Sequence, residues 1–261
     1  MIDIDKTAGD ITKAIRNFMA AEEFSYINGY MQGIAAEIKI VASIVLIFLA
    51  ISSSSFVFPL LLLLFSISLA LASRISLATY ISRFYIIPLF SVIVVLPLAF
   101  INGNTGIYGL LINAEGAKYV ALFTVRVMAA VATVSLLLFT TRFSVILSAL
   151  RRMKFPITLI TIMAIVYRYL FTFLTQLVNM LLGRRSRMVE RRKSIKGASA
   201  FAGNFLSRIL SKSDAVYLAM RARGFDGSVK TFDRKFEWSS AGIIYTTMVI
   251  SMVFLWAITE L

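Results

Sequence analysis

The chain has 261 residues, of which 59% are hydrophobic and only 15% charged; a soluble globular chain runs nearer half apolar and a quarter charged, so the excess points to a bilayer as solvent. It contains no cysteine and no histidine, which excludes a disulfide framework, the usual zinc, haem and iron–sulfur sites, and catalysis by a His base or a Cys nucleophile. The formal net charge of +14 belongs to one segment: residues 141–237 carry 19 Lys and Arg against 5 Asp and Glu, and the rest of the chain carries 8 of each.

Residues 1–33 read as a cytoplasmic N-terminal segment. The first 25 include Asp3, Asp5, Asp10, Glu22 and Glu23 and no apolar run, so no signal peptide is expected there. A spanning helix needs about 20 mostly apolar residues, and five stretches qualify. They are roughly 34–52 (IKIVASIVLIFLAI), 56–73 (FVFPLLLLLFSISLALA), 84–101 (FYIIPLFSVIVVLPLAF), 119–140 (YVALFTVRVMAAVATVSLLLFT) and 240–258. Pro59, Pro88 and Pro97 fall inside these spans, where a kink is tolerated if neighbours satisfy the freed carbonyls.

Flanking charge orients the spans. The link after the second carries Arg74 and Arg83 and belongs inside; the SSSS link at 52–55 is uncharged and belongs outside, as does the Gly- and Asn-rich 102–118 link. The fourth span then delivers the chain to a cytoplasmic 141–237 region, and the last returns it. The N-terminus is expected inside and the C-terminus outside. The predicted organisation is a four-helix transmembrane region at 34–140, coupling helices at 141–237 and a C-terminal transmembrane helix at 238–261.

The 155–182 stretch, FPITLITIMAIVYRYLFTFLTQLVNMLL, is also long and apolar. Basic clusters on both sides (RRMK at 151–154, RRSRMVERRK at 184–193) want the same side of the membrane. The stretch also carries Thr158, Thr161, Arg168, Thr172, Thr175, Gln176 and Asn179. It reads as an amphipathic helix at the interface, with a sixth span as the alternative. Pro156 suits its first turn. Two further amphipathic helices are expected. In 142–153, Phe143, Ile146, Leu147 and Leu150 share a face. In about 201–223, Phe205, Ile209, Leu210, Ser213, Tyr217 and Met220 do so, and Gly224 stops the helix. Residues 187–200 and 225–237 read as connections. The fold class is therefore all-α and polytopic, with about five transmembrane helices plus three amphipathic coupling helices.

Two clusters place an arginine with a small residue after it at or near a predicted helix end: Arg184, Arg185, Ser186 and Ala222, Arg223, Gly224. Such a guanidinium can enter a partner's groove and pair with a carboxylate. The same residues also serve a helix C-terminal dipole or anchor topology. Arg126, inside the fourth span, is expensive at that depth and reads as a structural group paired with Glu115, with backbone carbonyls or with the interfacial helices. Arg168 either fixes the long helix or faces water.

The order of features resembles the transmembrane T component of energy-coupling factor transporters, in particular the cobalt-type branch. The resemblance is carried by TVRVMAAVATVSLLLFTTRFSVILSALRRMKFP at 124–156, AIVYRYLF at 164–171 and SDAVYLAMRARGF at 213–225, and covers roughly residues 34–261. It implies two Ala-Arg-Gly or Ala-Arg-Ser motifs ending two crossing coupling helices, each arginine docking into one of two ATP-binding-cassette subunits. Arg223 matches the second motif directly. Arg185 matches the first, with Arg184 in place of the alanine; Arg184 or Arg187 can share that role.

These readings combine into a non-enzymatic transmembrane scaffold of an ATP-driven micronutrient importer for cobalt, nickel or a vitamin. Its expected partners are two ABC-type ATPase subunits, a membrane-embedded substrate-binding subunit (an S component or its cobalt-type equivalent) and membrane lipid, with no nucleic acid. No cofactor or metal site is expected on the chain itself, which has no P-loop of the GxxxxGK[ST] type. The alternative is a secondary transporter or channel. That would need polar groups lining a route through the spans, where only Arg126 stands out.

Overall fold

A computed structural model of the chain describes residues 29–77, 80–81, 86–97, 114–187, 195–227 and 239–260. Among these residues the protein is all-helical, with a short 3-10 turn at Met31–Gly33 followed by α1 (Ala36–Ser52), α2 (Val57–Ala72), α3 (Ile86–Val95), α4 (Ala114–Thr140), α5 (Phe143–Arg152), α6 (Ile157–Arg187), α7 (Ile195–Ala222) and α8 (Ser240–Glu260). Two compact units result, with the division between Ala149 and Leu150, inside α5. Of the described residues, 29–149 and 239–260 form a membrane unit and 150–227 form a second unit. The predicted segment 1–33 lies almost wholly outside the described residues.

The membrane unit is organised around α4, which packs against α1, α2 and α3, while α8 packs on α1 and α2. The buried residues of α4 are Ala129, Ala132, Thr133, Leu136, Phe139 and Thr140, one stripe at three- and four-residue spacing. The two alanines of this stripe, Ala129 and Ala132, are fully buried, and small side chains of this kind let neighbouring helices approach closely in lipid. α2 answers with Phe58, Leu62, Ser66, Leu69 and Ala70, and the Ser66 and Thr133 hydroxyls meet at 3.3 Å. Tyr80 is fully buried, its hydroxyl donating to the Ala132 carbonyl at 2.6 Å and its ring tilted against Phe139 with centroids 6.2 Å apart.

The outward surface is the reverse of a soluble protein's. Ile44, Phe48 and Ile51 of α1, Leu89, Phe90 and Ile93 of α3 and Ile250, Phe254 and Ile258 of α8 are all exposed. Apolar surface on that scale marks a membrane protein. α4, α6 (157–184) and α8 are each long and apolar enough to cross a bilayer, and α2 is a shorter apolar helix. The predicted spans at 119–140 and 240–258 are thus recovered at full length. Those at 34–52 and 56–73 form helices of 17 and 16 residues, about 26 and 24 Å long. Only the middle of the 84–101 span is described, as α3. The 155–182 stretch, read as interfacial with a sixth span as the alternative, forms one continuous helix long and apolar enough to cross a bilayer, a length that interfacial helices also reach.

Hydrogen bonds show which helix ends lie together. At one end the Tyr30 hydroxyl donates to the Ala241 carbonyl at 3.1 Å, Gln32 Nε2 to the Ser73 carbonyl at 3.4 Å, and Lys39 Nζ to the Thr140 carbonyl at 3.3 Å and to Thr141 Oγ1 at 3.1 Å. At the other end Glu260 Oε1 accepts from Ser53 Oγ at 2.8 Å and from the Ser54 and Ser55 backbone N–H groups at 2.6 and 3.3 Å. The starts of α1 and α8 therefore lie with the ends of α2 and α4, as the predicted alternation of spans requires. Near its first turn α5 joins this end, with Ala149, Val145 and Ile146 packed against Ala36 and Ile40.

Of the prolines placed inside predicted spans, Pro59 is the third residue of α2, in the first turn, where no N–H is needed. Pro97 lies in the turn after α3. Both mark element boundaries instead of bends.

α2 ends in a Schellman motif: the Arg74 N–H bonds the Leu71 carbonyl at 3.0 Å and the Ile75 N–H the Ala70 carbonyl at 3.1 Å. The turning residue, Arg74, has φ 57°. A side chain in this left-handed region costs about 1–2 kcal/mol relative to a right-handed one. Gly29 sits under the same helix end, where an added Cβ would lie 2.6 Å from the Ser73 carbonyl oxygen.

Tyr80→Phe keeps the buried ring but leaves the α4 bond unmade, and is expected to destabilise the membrane unit by about 1 kcal/mol, read as a lower unfolding midpoint in detergent. Glu260→Ala, which removes the acceptor of three donors, is expected to lower that midpoint, and Glu260→Gln, whose carbonyl oxygen still accepts, to lower it less.

Candidate functional site

The second unit presents two long helices. α6 has 31 residues and α7 has 28. Between α5 and α6 the chain turns through a second Schellman motif, in which the Lys154 N–H bonds the Arg151 carbonyl at 3.0 Å and the Phe155 N–H the Leu150 carbonyl at 3.1 Å. Here a lysine, with φ 61°, holds the left-handed position. Pro156 then opens α6, its carbonyl accepting from Leu159 and Ile160 at 3.1 and 3.3 Å.

α6 continues through Arg184, Arg185 and Ser186 to Arg187. These residues form the last turn of α6 as described, just before the undescribed 188–194. The Ser186 hydroxyl donates back to the Gly183 carbonyl at 3.0 Å, a local bond that serine readily makes in a helix. The Arg184 guanidinium lies 5.7 Å from the centre of the Phe201 ring, within cation–π range, and so joins the end of α6 to the early turns of α7. Residues 195–200, expected as part of a connection, are helical and belong to α7.

The other cluster ends α7 sharply. The Gly224 N–H bonds the Arg221 carbonyl at 3.0 Å and the Phe225 N–H the Met220 carbonyl at 3.0 Å, with Gly224 at φ +75°. This is the Schellman arrangement with a glycine at the position that favours it. Ala222, Arg223 and Gly224 are all exposed, while Met220 and Phe225 are half-buried. Arg223 thus occupies the cap position of a helix whose reversal is fixed beneath it. One turn earlier, Arg221 Nη1 donates to the Tyr217 hydroxyl at 3.2 Å and the guanidinium lies 5.9 Å from that ring. From Phe201 to Arg223 the helix rises by about 33 Å, so the arginine cluster of α6 and the arginine tip of α7 stand at opposite ends of α7.

Arg126 is half-buried, and its Nη2 donates to the Ser53 carbonyl; of the expected partners, the structure supplies a backbone carbonyl. Its Nε finds no hydrogen-bond partner among the described residues, and the Glu115 side chain lies outside them. Ser53 therefore takes Arg126 on its carbonyl and gives its hydroxyl to Glu260. Arg168 is exposed, its guanidinium 6.0 Å from the ring of its neighbour Tyr169.

Lys39 was missed. It is 2% exposed and caps the end of α4, where an ammonium is favoured by the helix dipole and the last carbonyls. The signal was present, since a lysine inside an apolar run invites a question about its partner. Among the described residues no group of three or more acidic side chains could hold a metal ion.

Comparison with known proteins adds to this geometry. The model of the family described as CbiQ, cobalt transport protein, matches residues 30–232. The chain is also similar to two proteins of Methanocaldococcus jannaschii. To the uncharacterized protein MJ1571 it is 28% identical over 243 residues, 88% of this chain and 83% of that protein. To the uncharacterized protein MJ1089 it is 25% identical over 205 residues, 74% and 76% of the two.

Gly224→Ala forces a Cβ into the left-handed region and is expected to destabilise the end of α7 by about 1–2 kcal/mol, visible as faster amide exchange over its last turn. Gly224→Asn is expected to be milder, because asparagine tolerates this conformation.

Proposed function

The chain belongs to the CbiQ cobalt transport protein family, and on that premise we propose that it is the transmembrane coupling subunit of an ATP-driven micronutrient importer for cobalt, nickel or a vitamin. ATP binding and hydrolysis take place on two ABC-type ATPase subunits. The chain holds them at two arginine tips and passes their closure to a membrane-embedded substrate-binding subunit. It has no catalytic step of its own.

The observation that carries this reading is the separation of the tips. Two arginine clusters about 33 Å apart along one rigid helix suit two docking partners better than one. The Arg184 guanidinium lies against Phe201, and the docking role at the α6 tip is assigned to Arg185, with Ser186 next to it in the chain. At the α7 tip it falls to Arg223, held clear of the helix body between Ala222 and Gly224. A planar guanidinium in a groove pairs with a carboxylate through two parallel hydrogen bonds. When the partners move together, the helices act as levers because a continuous helix does not bend cheaply.

Arg126 and Lys39 support the scaffold reading. Each donates to a backbone carbonyl of a neighbouring helix or turn, a use that ties helices together and does not leave these cations lining a solute route. Arg74 and Arg142 belong to the end of the membrane unit that holds Tyr30 and Ala241, whereas Arg126 and Glu260 are at the other. We therefore place the first end in the cytoplasm, with the N-terminus inside and the C-terminus outside.

Reversing both tips, Arg185→Glu with Arg223→Glu, is expected to weaken ATPase association by about tenfold or more at each site. The ATPase subunits then no longer co-purify and uptake stops, while the melting temperature of the isolated chain is unchanged. Retained co-purification and uptake in the double variant would show the docking role to be wrong, and ATPase-independent uptake by the chain alone in liposomes would show a transporter with its own path.

A further inference from the structure

Three helix ends close with the same Schellman geometry, and only one uses glycine. Arg74 after α2 (φ 57°) and Lys154 after α5 (φ 61°) are the non-glycine residues with positive φ among those described. Glycine takes this conformation freely and asparagine takes it readily. A long cationic side chain is an unfavourable choice there, retained at two separate places.

Packing does not explain the choice, since both residues are exposed. Nor does an ion pair, because neither side chain has one, or a hydrogen bond, with any described residue. The helix dipole gives a partial reason, as cations are favoured at C-termini. At α5, however, the last turn already carries Arg151 and Arg152, which need no strained backbone. What the two positions share is an apolar helix beside each. Arg74 follows the C-cap of an apolar helix, and Lys154 stands three residues before another, which begins at the membrane surface whether it lies along that surface or enters the bilayer. A side chain at such a point lies at the level of the lipid headgroups.

We propose that Arg74 and Lys154 are lipid anchors, each binding the phosphate of an anionic phospholipid headgroup at the membrane surface. The left-handed turn carries the backbone away from the helix axis and leaves the long cationic side chain free to meet the headgroup layer. The recognised chemistry is a phosphodiester with net negative charge, of the phosphatidylglycerol kind; a zwitterionic headgroup carries its own cation and competes poorly. This inference depends on the chain's place in a membrane and not on its transport role, so either can fail without the other.

The test uses the full chain in a neutral detergent. It is titrated with phosphatidylglycerol, with phosphatidylcholine and with inorganic phosphate, and the melting temperature is followed to a half-saturating concentration. Phosphatidylglycerol is expected to raise the melting temperature at lower concentration than phosphatidylcholine, and inorganic phosphate to have no effect. In R74G/K154G each lost charge is expected to weaken the phosphatidylglycerol response about fivefold, while the lipid-free melting temperature stays level or rises as backbone strain is relieved. R74N/K154N removes the same charges with a second residue that accepts the turn, and decides the matter if the glycine pair folds poorly. An unchanged half-saturating concentration in these variants would overturn the proposal. So would an equal response to phosphatidylcholine, and a response reproduced by inorganic phosphate would make the site one for free anions instead of lipid.

Discussion

Inside a bilayer a polar group finds its partner within the protein or goes without, at several kcal/mol. That constraint orders the membrane unit. Lys39 reaches the end of α4, Tyr80 reaches the Ala132 carbonyl in its middle, Thr133 meets Ser66, and Arg126 reaches the turn between α1 and α2. Each bond runs from α4 to a different neighbour. The fully buried Ala129 and Ala132 bring those neighbours close enough to bond. Apolar packing alone would not choose the register of these helices, because lipid solvates their outer faces as well as the core does.

The turn at Ser53–Ser55 gathers the most from this arrangement. It ends α1, precedes α2, receives Arg126 on a carbonyl and gives three donors to Glu260 of α8. Four helices are thereby held at one point by backbone and short side chains. At the opposite end Lys39 and the Ala36, Ile40 and Ala149 contacts hold the beginning of α5 to α1. The region beyond Ala149 belongs to a different unit, built from two helices whose own contact is made at least partly by Arg184 on Phe201.

Much of this was legible in the residues. Helical period and apolar run length located α1, α2, α5 and α8 to within about two residues, while α4, α6 and α7 extend five or six residues beyond one predicted end; Gly224 marked the end of α7 because few other residues take φ +75° without strain. Elsewhere the local signal pointed the wrong way. Pro59 and Pro97 read as lying inside spans and prove to be boundaries, since a proline's effect depends on where the first turn falls. The 187–200 stretch looked polar enough for a connection, yet its last six residues begin α7. Lys39 was hidden in an apolar run, and no local pattern announces that the end of a helix a hundred residues later will accept its ammonium. For the same reason nothing near residues 53–55 reveals that Glu260 will close on them.

What the residues determined alone was the solvent and the local form. An apolar, weakly charged chain without histidine or cysteine belongs in a membrane as helices, with its positive charge gathered in one segment and its arginines placed next to small residues. The tertiary structure decided which polar groups meet, that α5 divides between two units, that Arg184 packs while Arg223 stands free, and that two helix turns carry cations in a conformation suited to glycine. The physical reason is range. Periodicity, propensity and charge act over a few residues, whereas the bonds of Lys39, Arg126 and Glu260 join parts of the chain that only folding brings together.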